Sequence, residues 1–475
     1  MTDPAKEVND VRRATVIGGG PAGMLAAAAL APFCDRVTLV ERDVLPHGPH
    51  PRKGLPQARH GHVLWSGGAK AIERLVPGVT ERWPAAGAVR VPLTSGMVAY
   101  TPHGWFRRRQ GPTPHHLIAC GRDLLDWHVR DLVLRDHRIR LLEGTEAVGL
   151  TGAARRITGV RTRSPGGSSQ GVRADLVVDA GGRGSRALHW LASLGITGIR
   201  ERSVDSALAY ASRVFRAPDH ADGFPVVNVQ AAHGTAPGQA AALIPIEDGR
   251  RLVSLSGTRG GEPTSRAQDF VPFTVRLRHP LVGRLIERAA ALTEVSTSRS
   301  TANGRRYFEQ ARQWPEGLVV LGDAVATHNP VYGQGMSVAA LAACLLRDDV
   351  RRAGVFGTRL GRRVQRAVAR PADAAWASAT ALDVFYPGAS EQAPTPTDRM
   401  IRRLSGRLAR TAAASSYVAN ALTQVTTMEA GTTRLLWPDM LLALACGPLR
   451  RPLAGPPLTA AESRLLEPVG PARAD

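Results

Sequence analysis

Between residues 14 and 41 the chain writes a strand, a glycine turn, a helix and a second strand ending in an acid. Ala14-Thr-Val-Ile-Gly18 is a short apolar run, and Gly18-x-Gly20-x-x-Gly23 follows it. An Ala/Leu-rich helix then reaches about Ala31, and Arg36-Val-Thr-Leu-Val-Glu41 closes the unit. Such a pattern is a βαβ opening, the start of a parallel sheet with helices on its faces. Gly18 permits the tight turn, Gly20 lets a pyrophosphate approach the backbone, and Gly23 lets helix and strand pack closely. Pro21 and Ala22 open a helix whose N-terminus faces the phosphates. Glu41, 23 residues after Gly18, is placed to bind ribose hydroxyls. A glycine turn in a plain α/β domain would need neither that helix start nor that acid. The unit therefore predicts a dinucleotide site, with FAD and NAD both open at this point.

The remaining chain extends this opening. Gly68–Leu75 and Gly121–Leu134 read as helices, and short strands fall near Ile139–Leu142, Ala147–Leu150, Ile157–Arg163 and Asp175–Asp179. From about Asp205 to Thr258 the texture turns to β, with a hairpin turn at Glu247-Asp248-Gly249. Gly317–Asp323 returns to a buried strand, and beyond Met336 the chain is mostly helical, broken by a Pro/Thr linker at Pro387–Thr397. The expected division is 1–204, a first part of the nucleotide-binding domain; 205–315, an inserted β-sheet substrate domain; 316–350, the second part; and 351–475, a helical C-terminal region.

Charge and cysteines exclude several classes. The chain carries 61 Lys+Arg against 40 Asp+Glu, a net +21, and only Lys6, Lys53 and Lys70 are lysines. Without an aromatic-studded basic strand or a helix–turn–helix pattern, diffuse arginine does not predict nucleic-acid binding. Residues 347–410 hold thirteen arginines against six acids. Arg359, Arg363, Arg366 and Arg370 fall on one helical stripe, and Phe356, Leu360, Val364 and Ala367 on another. The simplest reading of the arginines is a solvated face; the sharper one is a dock for an acidic partner such as an acyl carrier protein. The four cysteines lie far apart with no CxxC or Cys/His spacing, so no zinc site or disulfide framework is expected and a reducing cytoplasm fits. The start lacks the basic and apolar segments of a signal peptide, and no run predicts a membrane span.

A second motif decides between the nucleotides. Val320-Leu-Gly322-Asp323-Ala324, then Asn329-Pro330 and Gly333-Gln-Gly335-Met336-Ser337, leads into a helix. A strand ending in Gly-Asp offers a carboxylate to a chain of hydroxyls, and the glycines let backbone N–H groups meet a ligand. With the first motif some 300 residues upstream, the chain resembles the FAD-dependent monooxygenases of the aromatic-hydroxylase and squalene-epoxidase type. The resemblance implies a Rossmann-like FAD-binding domain with an inserted β-sheet substrate domain. It further implies that Asp323 holds the ribityl chain, that Pro330 and the Gly333–Ser337 helix start border the isoalloxazine ring, and that Arg122 contacts the cofactor. Arg42, Val148, Gly181 and Gly182 are placed at the cofactor on the same ground. In Asp179-Ala-Gly-Gly-Arg-Gly-Ser185, Gly181 stands where the family has an aspartate. That departure leaves two sources of electrons: NAD(P)H acting directly, or a partner flavin reductase.

The loop Arg52-Lys53-Gly54-Leu-Pro56 to Gly68, with Asp126-Trp127 and Asn329–Ser337, is similar to the bacterial polyether-pathway epoxidases. This implies a flavoprotein that epoxidises alkenes of a linear polyene polyketide, free or carrier-bound, using O2 through a C4a-hydroperoxyflavin. Arg52 is then the contact to the flavin or its peroxide, and Asn329 and Pro330 lie beside the ring. His60 and His62 read either as ligands or proton shuttles or, more simply, as structural residues of the loop. Substrate-wall candidates in the β domain are Phe215, Val227, Val229, Leu243 and Ile244, for which ordinary sheet core is the competing reading. An aromatic or other polyketide hydroxylase is the main alternative. A flavin-dependent prenyl reductase and a non-catalytic flavin-fold protein are more distant ones. Halogenation is not expected, because no two of the eight tryptophans are two residues apart and no lysine sits in a fitting motif.

Overall fold

The computed structural model describes residues 11–217, 224–232, 237–299, 301–448 and 450–466. The first unit forms as β1 (Arg13–Ile17), α1 (Pro21–Leu30) and β2 (Arg36–Val40). With β3 (Ile139–Leu142), β4 (Leu176–Asp179) and β5 (Leu318–Val320) it makes a five-stranded parallel sheet in the order β5-β4-β1-β2-β3. Ile17 at the end of β1 lies level with Val40 on one side and Asp179 on the other. The glycine turn, Glu41 and the loop after β4 therefore leave the sheet at one edge, the carboxyl edge where open α/β sheets bind ligands. Val16, Val37, Leu39 and Val177 have no exposure at all, as strands covered on both faces require.

One face is covered by α1, α2 (Ser66–Leu75), α3 (Arg122–Val133) and α4 (Gly335–Ala353), whose inward residues form one apolar cluster with β1 and β2. The other is covered by antiparallel hairpins spanning 146–173 and the short helix Ala187–Ser193, packed through Ile157, Val160, Trp190 and Leu191.

The second sheet has seven strands. Its centre is Ala209–Arg216, Arg250–Gly257, Gln239–Ile246 and Val226–Val229. The turn at 247–249 is present, with φ 60° at Asp248 and 64° at Gly249, the positive pair that suits a two-residue hairpin. The sheet is not built from the insertion alone. Met97–Thr101 pairs in parallel with Val226–Val229 and brings Gly104–Trp105 with it. An otherwise bare edge is thereby covered by chain from the expected first domain. At the insertion's mouth, Glu201–Val204 pairs with Asn303–Arg306.

The C-terminal region is helical: α5 (Leu360–Asp383), α6 (Pro396–Ala414), α7 (Ser416–Thr426) and α8 (Pro438–Cys446). The Pro/Thr stretch ends as a capping box, in which Thr395 accepts from Asp398 N and Pro396 takes the first helical position. Leu360 and Val364 are buried as expected, while Arg363, Arg366 and Arg370 are exposed. Phe356 and Arg359 depart from the expected stripes. Arg359 is the left-handed residue (φ 57°) before the helix, and Phe356 precedes it and is 46% exposed.

Candidate functional site

The two glycine motifs meet. A side chain at Gly322, which has φ +61°, would stand 2.7 Å from the Ala22 Cβ, so the start of α1 and the loop after β5 share one surface. Gly23 is tighter still, since a Cβ there would lie 1.7 Å from the Gly18 carbonyl oxygen. Gly20 faces open space. It lines a cleft with Gly19, Pro21, Arg52, Asp126, Arg130 and Met336.

Arg52 and Glu41 organise one end of this cleft. Glu41, 5% exposed, accepts from Gly19 N (2.6 Å) and Asp43 N (2.9 Å). Arg52 pairs with Glu41 (3.0 Å) and donates to the Gly19 carbonyl (3.0 Å). Two of its nitrogens are thus engaged at the glycine turn. Arg52, expected at the flavin or its peroxide, reaches the acid and the glycine turn through its terminal nitrogens and leaves Nε without a partner. Arg130 was not anticipated, although Arg122, Asp126 and Arg130 follow the i, i+4 spacing of one helix face. It is 5% exposed, and burial, then Arg52, lower its pKa. Two arginines facing each other beside a glycine turn suit a diphosphate. Arg122 opens α3, buried, and pairs with Asp126 at 2.8 Å. Arg42 is exposed just after β2. Val148 is half-buried on the strand Glu146–Ala153, just past Thr145, whose N–H donates to the Glu41 carbonyl.

After β5, Asp323 is exposed, and a Cβ at Gly335 would lie 3.8 Å from its Oδ1. Surrounding protein raises the Asp323 pKa, opposed by Arg183 and Arg122. In the loop after β4, Asp179 is 1% exposed and accepts from Gly181 N (2.8 Å) and Ser185 Oγ (2.7 Å), leaving Gly181 exposed and Gly182 at φ 67°. The residues fit a flavin dinucleotide. Glycines form a cradle that side chains would fill, and Arg52 Nε and Asp126 Oδ2, on two of the lining residues, are buried polar atoms without partners.

Past Asp323 the chain reaches the turn Pro330–Tyr332, where Pro330 is exposed. Asn329 does not face the cleft. It is 2% exposed; its amide nitrogen donates to Asp383 Oδ2 (3.1 Å), and its oxygen accepts from Val331 N (3.1 Å) and the Tyr210 hydroxyl (3.4 Å). Asn329, expected beside the ring, thus holds the turn that carries Pro330. Asp383, at the end of α5, also accepts from Asn303 Nδ2 (2.9 Å) and the Tyr332 hydroxyl (3.2 Å), and burial raises its pKa. No motif marks Asp383 in the sequence. Trp65 donates to the Tyr332 carbonyl (3.3 Å), and Val63 and Trp65 lie against Gly333 (φ 63°), so the 52–68 loop lies along this turn.

The same loop reaches the second sheet. His60 Nδ1 lies 2.9 Å from Ser212 Oγ, which is 2.7 Å from Ser254 Oγ, and Gly61 N donates to Ser254 (2.8 Å). Burial lowers the His60 pKa, and burial with Arg122 lowers that of His62 to about 3, so both are neutral at pH 7. The sheet face under the loop carries Tyr210, Ser212, Ser254 and Ile244. Phe215, Val227, Val229 and Leu243 point the other way, into a core with Phe270 and Phe273. That corrects four of the five wall candidates: strand alternation puts them on the far face, and only Ile244 has the parity to face the loop.

Residues 111–348 match the family model of the FAD binding domain, and 14–195 that of the FAD dependent oxidoreductases. Protein Rv3254 of Mycobacterium tuberculosis is 30% identical over 407 residues, covering 82% of this chain and 83% of that one. A kynurenine 3-monooxygenase of Salinispora tropica is 27% identical over 359 residues, covering 71% and 72%. Among solved structures, the myxobacterial chondrochloren halogenase CndH matches with a TM-score of 0.61 at 17% identity, covering 88% of this chain and 97% of that one, a likeness of fold. The chain belongs to the FAD-dependent oxidoreductases, in the FAD-binding family of hydroxylase-type monooxygenases.

Proposed function

We propose, from that family membership, that the chain epoxidises alkenes of a linear polyene, a polyketide precursor of polyether type, in the reaction alkene + O2 + NAD(P)H + H⁺ → epoxide + H2O + NAD(P)⁺. One observation carries the choice of substrate class. Three ionisable side chains beside the Pro330 turn are tied to other protein groups, Tyr210 to Asn329, Tyr332 to Asp383 and His60 to Ser212, and a fourth, His328, is buried before it. An alkene needs no base to become a nucleophile, whereas a phenol is activated by losing its proton. The likeness of the 52–68 loop to polyether-pathway epoxidases supports the same reading.

Bound FAD supplies the electron transfer and oxygen activation. The protein's part is placement and exclusion of water. The glycine turn with Arg52 and Arg130 would hold the diphosphate, Glu41 a ribose, and Asp323 the hydroxyl chain. The N-terminal N–H groups of α4 from Gly335 to Ser337 would favour negative charge at the ring. Trp65 and Val63, stacked on the Gly333 turn, keep that end apolar. Electrons would come from NAD(P)H directly or through a reductase.

A second reading, hydroxylation of an aromatic or other polyketide ring, is favoured by the likeness to a kynurenine 3-monooxygenase. Parallel incubations of the FAD-loaded protein and a reductase with a trisubstituted linear polyene and with a phenol separate the two. The proposal expects oxygenated polyene that opens to a diol in acid and an unchanged phenol. Hydroxylated phenol with unchanged polyene would establish the second reading instead.

A further inference from the structure

Large apolar side chains are ordinarily exposed singly. Here they gather. Of the thirteen large hydrophobic residues exposed among those described, eight fall between residues 400 and 442. The strongest are Met400 (55%) and Leu404 (56%) on α6, and Leu436 (67%), Trp437 (55%), Leu441 (51%) and Leu442 (67%) on and before α8. These helices are one packed unit. Arg407 of α6 donates to the Leu444 (2.5 Å) and Ala445 (2.7 Å) carbonyls at the end of α8. Ala412, Val418, Ala421 and Met440 join α6, α7 and α8 in a common core. The inner faces are therefore satisfied, and the outer apolar residues are surplus to the fold.

Beside them on α6 run Arg399, Arg403, Arg407 and Arg410, all exposed. Asp398 on the same helix is occupied as its N-terminal capping acid. Arg434 stacks 4.6 Å over the Trp437 ring. Leucines and a tryptophan bordered by arginines, on a helix pair lying along the surface, are the composition of an element seated at a lipid headgroup boundary. The charge also selects the occupant. In a twofold self-association the patch would meet itself, arginine against arginine. An anionic bilayer matches both parts of the patch, its headgroups the arginines and its acyl boundary the leucines. No helix among the described residues is long and apolar enough to cross a membrane, so the contact is peripheral.

We propose that the outer face of α6 and α8 docks the protein on the surface of an anionic phospholipid membrane. The test is co-sedimentation of the full-length, FAD-loaded protein with phosphatidylcholine vesicles, with and without phosphatidylglycerol. We expect sedimentation with the phosphatidylglycerol vesicles at low salt and release at high salt. Leu441→Gln with Leu442→Gln should lower binding about tenfold, and Arg399→Gln with Arg403→Gln should remove the preference for anionic lipid. Both double variants should keep the flavin absorbance and melting temperature, since the replaced side chains are exposed. Absence of sedimentation at low salt, equal binding to both vesicle types, or a dimer in light scattering that the leucine variant splits would each overturn the proposal.

Discussion

Asp383 shows how much of the site depends on a residue that touches neither motif. Its carboxylate holds Asn303, Asn329 and Tyr332 together, and so fixes the turn that carries Pro330. Burial raises its pKa, which means ionisation costs the native state. Stability from this group is full below the ordinary carboxylate range near pH 4 and is lost as pH rises through the raised native value. Neutral Asn at this position should therefore be no less stable at pH 7. Its oxygen can still accept from both asparagines while the Tyr332 hydroxyl turns to accept from its amide. We expect Asp383→Ala to lower kcat about tenfold and to perturb the visible flavin spectrum, with Asp383→Asn restoring both. An alanine variant with unchanged turnover and spectrum would show that the turn holds itself. The glycines, Glu41 and Asp323 were legible in the sequence because nucleotide binding constrains their spacing locally. Asp383 was not, because its partners lie 54 and 80 residues away in sequence. Asn329 was legible as a position but not as an orientation, which only the packing of Tyr210 and Asp383 decides.

Among the elements, the parallel strands and the helices that cover them follow from apolar runs and periodicity. The misplaced substrate wall came from the step that periodicity leaves open. Alternation along Gln239–Ile246 and Ala209–Arg216 gives two faces, but not which of them meets the loop at His60. The pairing of Met97–Thr101 with Val226–Val229 was equally hidden, since a strand's partner across 129 residues is chosen by the tertiary fold. On α5, the exposed row Arg363, Arg366 and Arg370 keeps the expected dock for an acidic carrier as a proposal. If the polyene is presented on such a carrier, Arg363→Glu with Arg366→Glu should cut turnover of the carrier-bound substrate about tenfold at low salt and leave the free substrate unaffected. Unchanged turnover of both would remove the carrier from the account.

At the scale of the whole molecule, strand pairing runs across the expected boundary between the first and second domains. Residues 97–105 join the second sheet, and the 52–68 loop touches both the glycine turn, through Arg52, and that sheet, through His60. The glycine turn and the second sheet are therefore joined by a single segment of chain. In the proposed reaction this assembly moves one atom of O2 onto a carbon–carbon double bond. Turnover of a linear polyene by the FAD-loaded protein under isotopically labelled dioxygen in unlabelled water tests it most directly. One labelled oxygen is expected in each epoxide formed. Oxygenated product that carries its oxygen from water, or consumption of dioxygen with the polyene recovered unchanged, would contradict it.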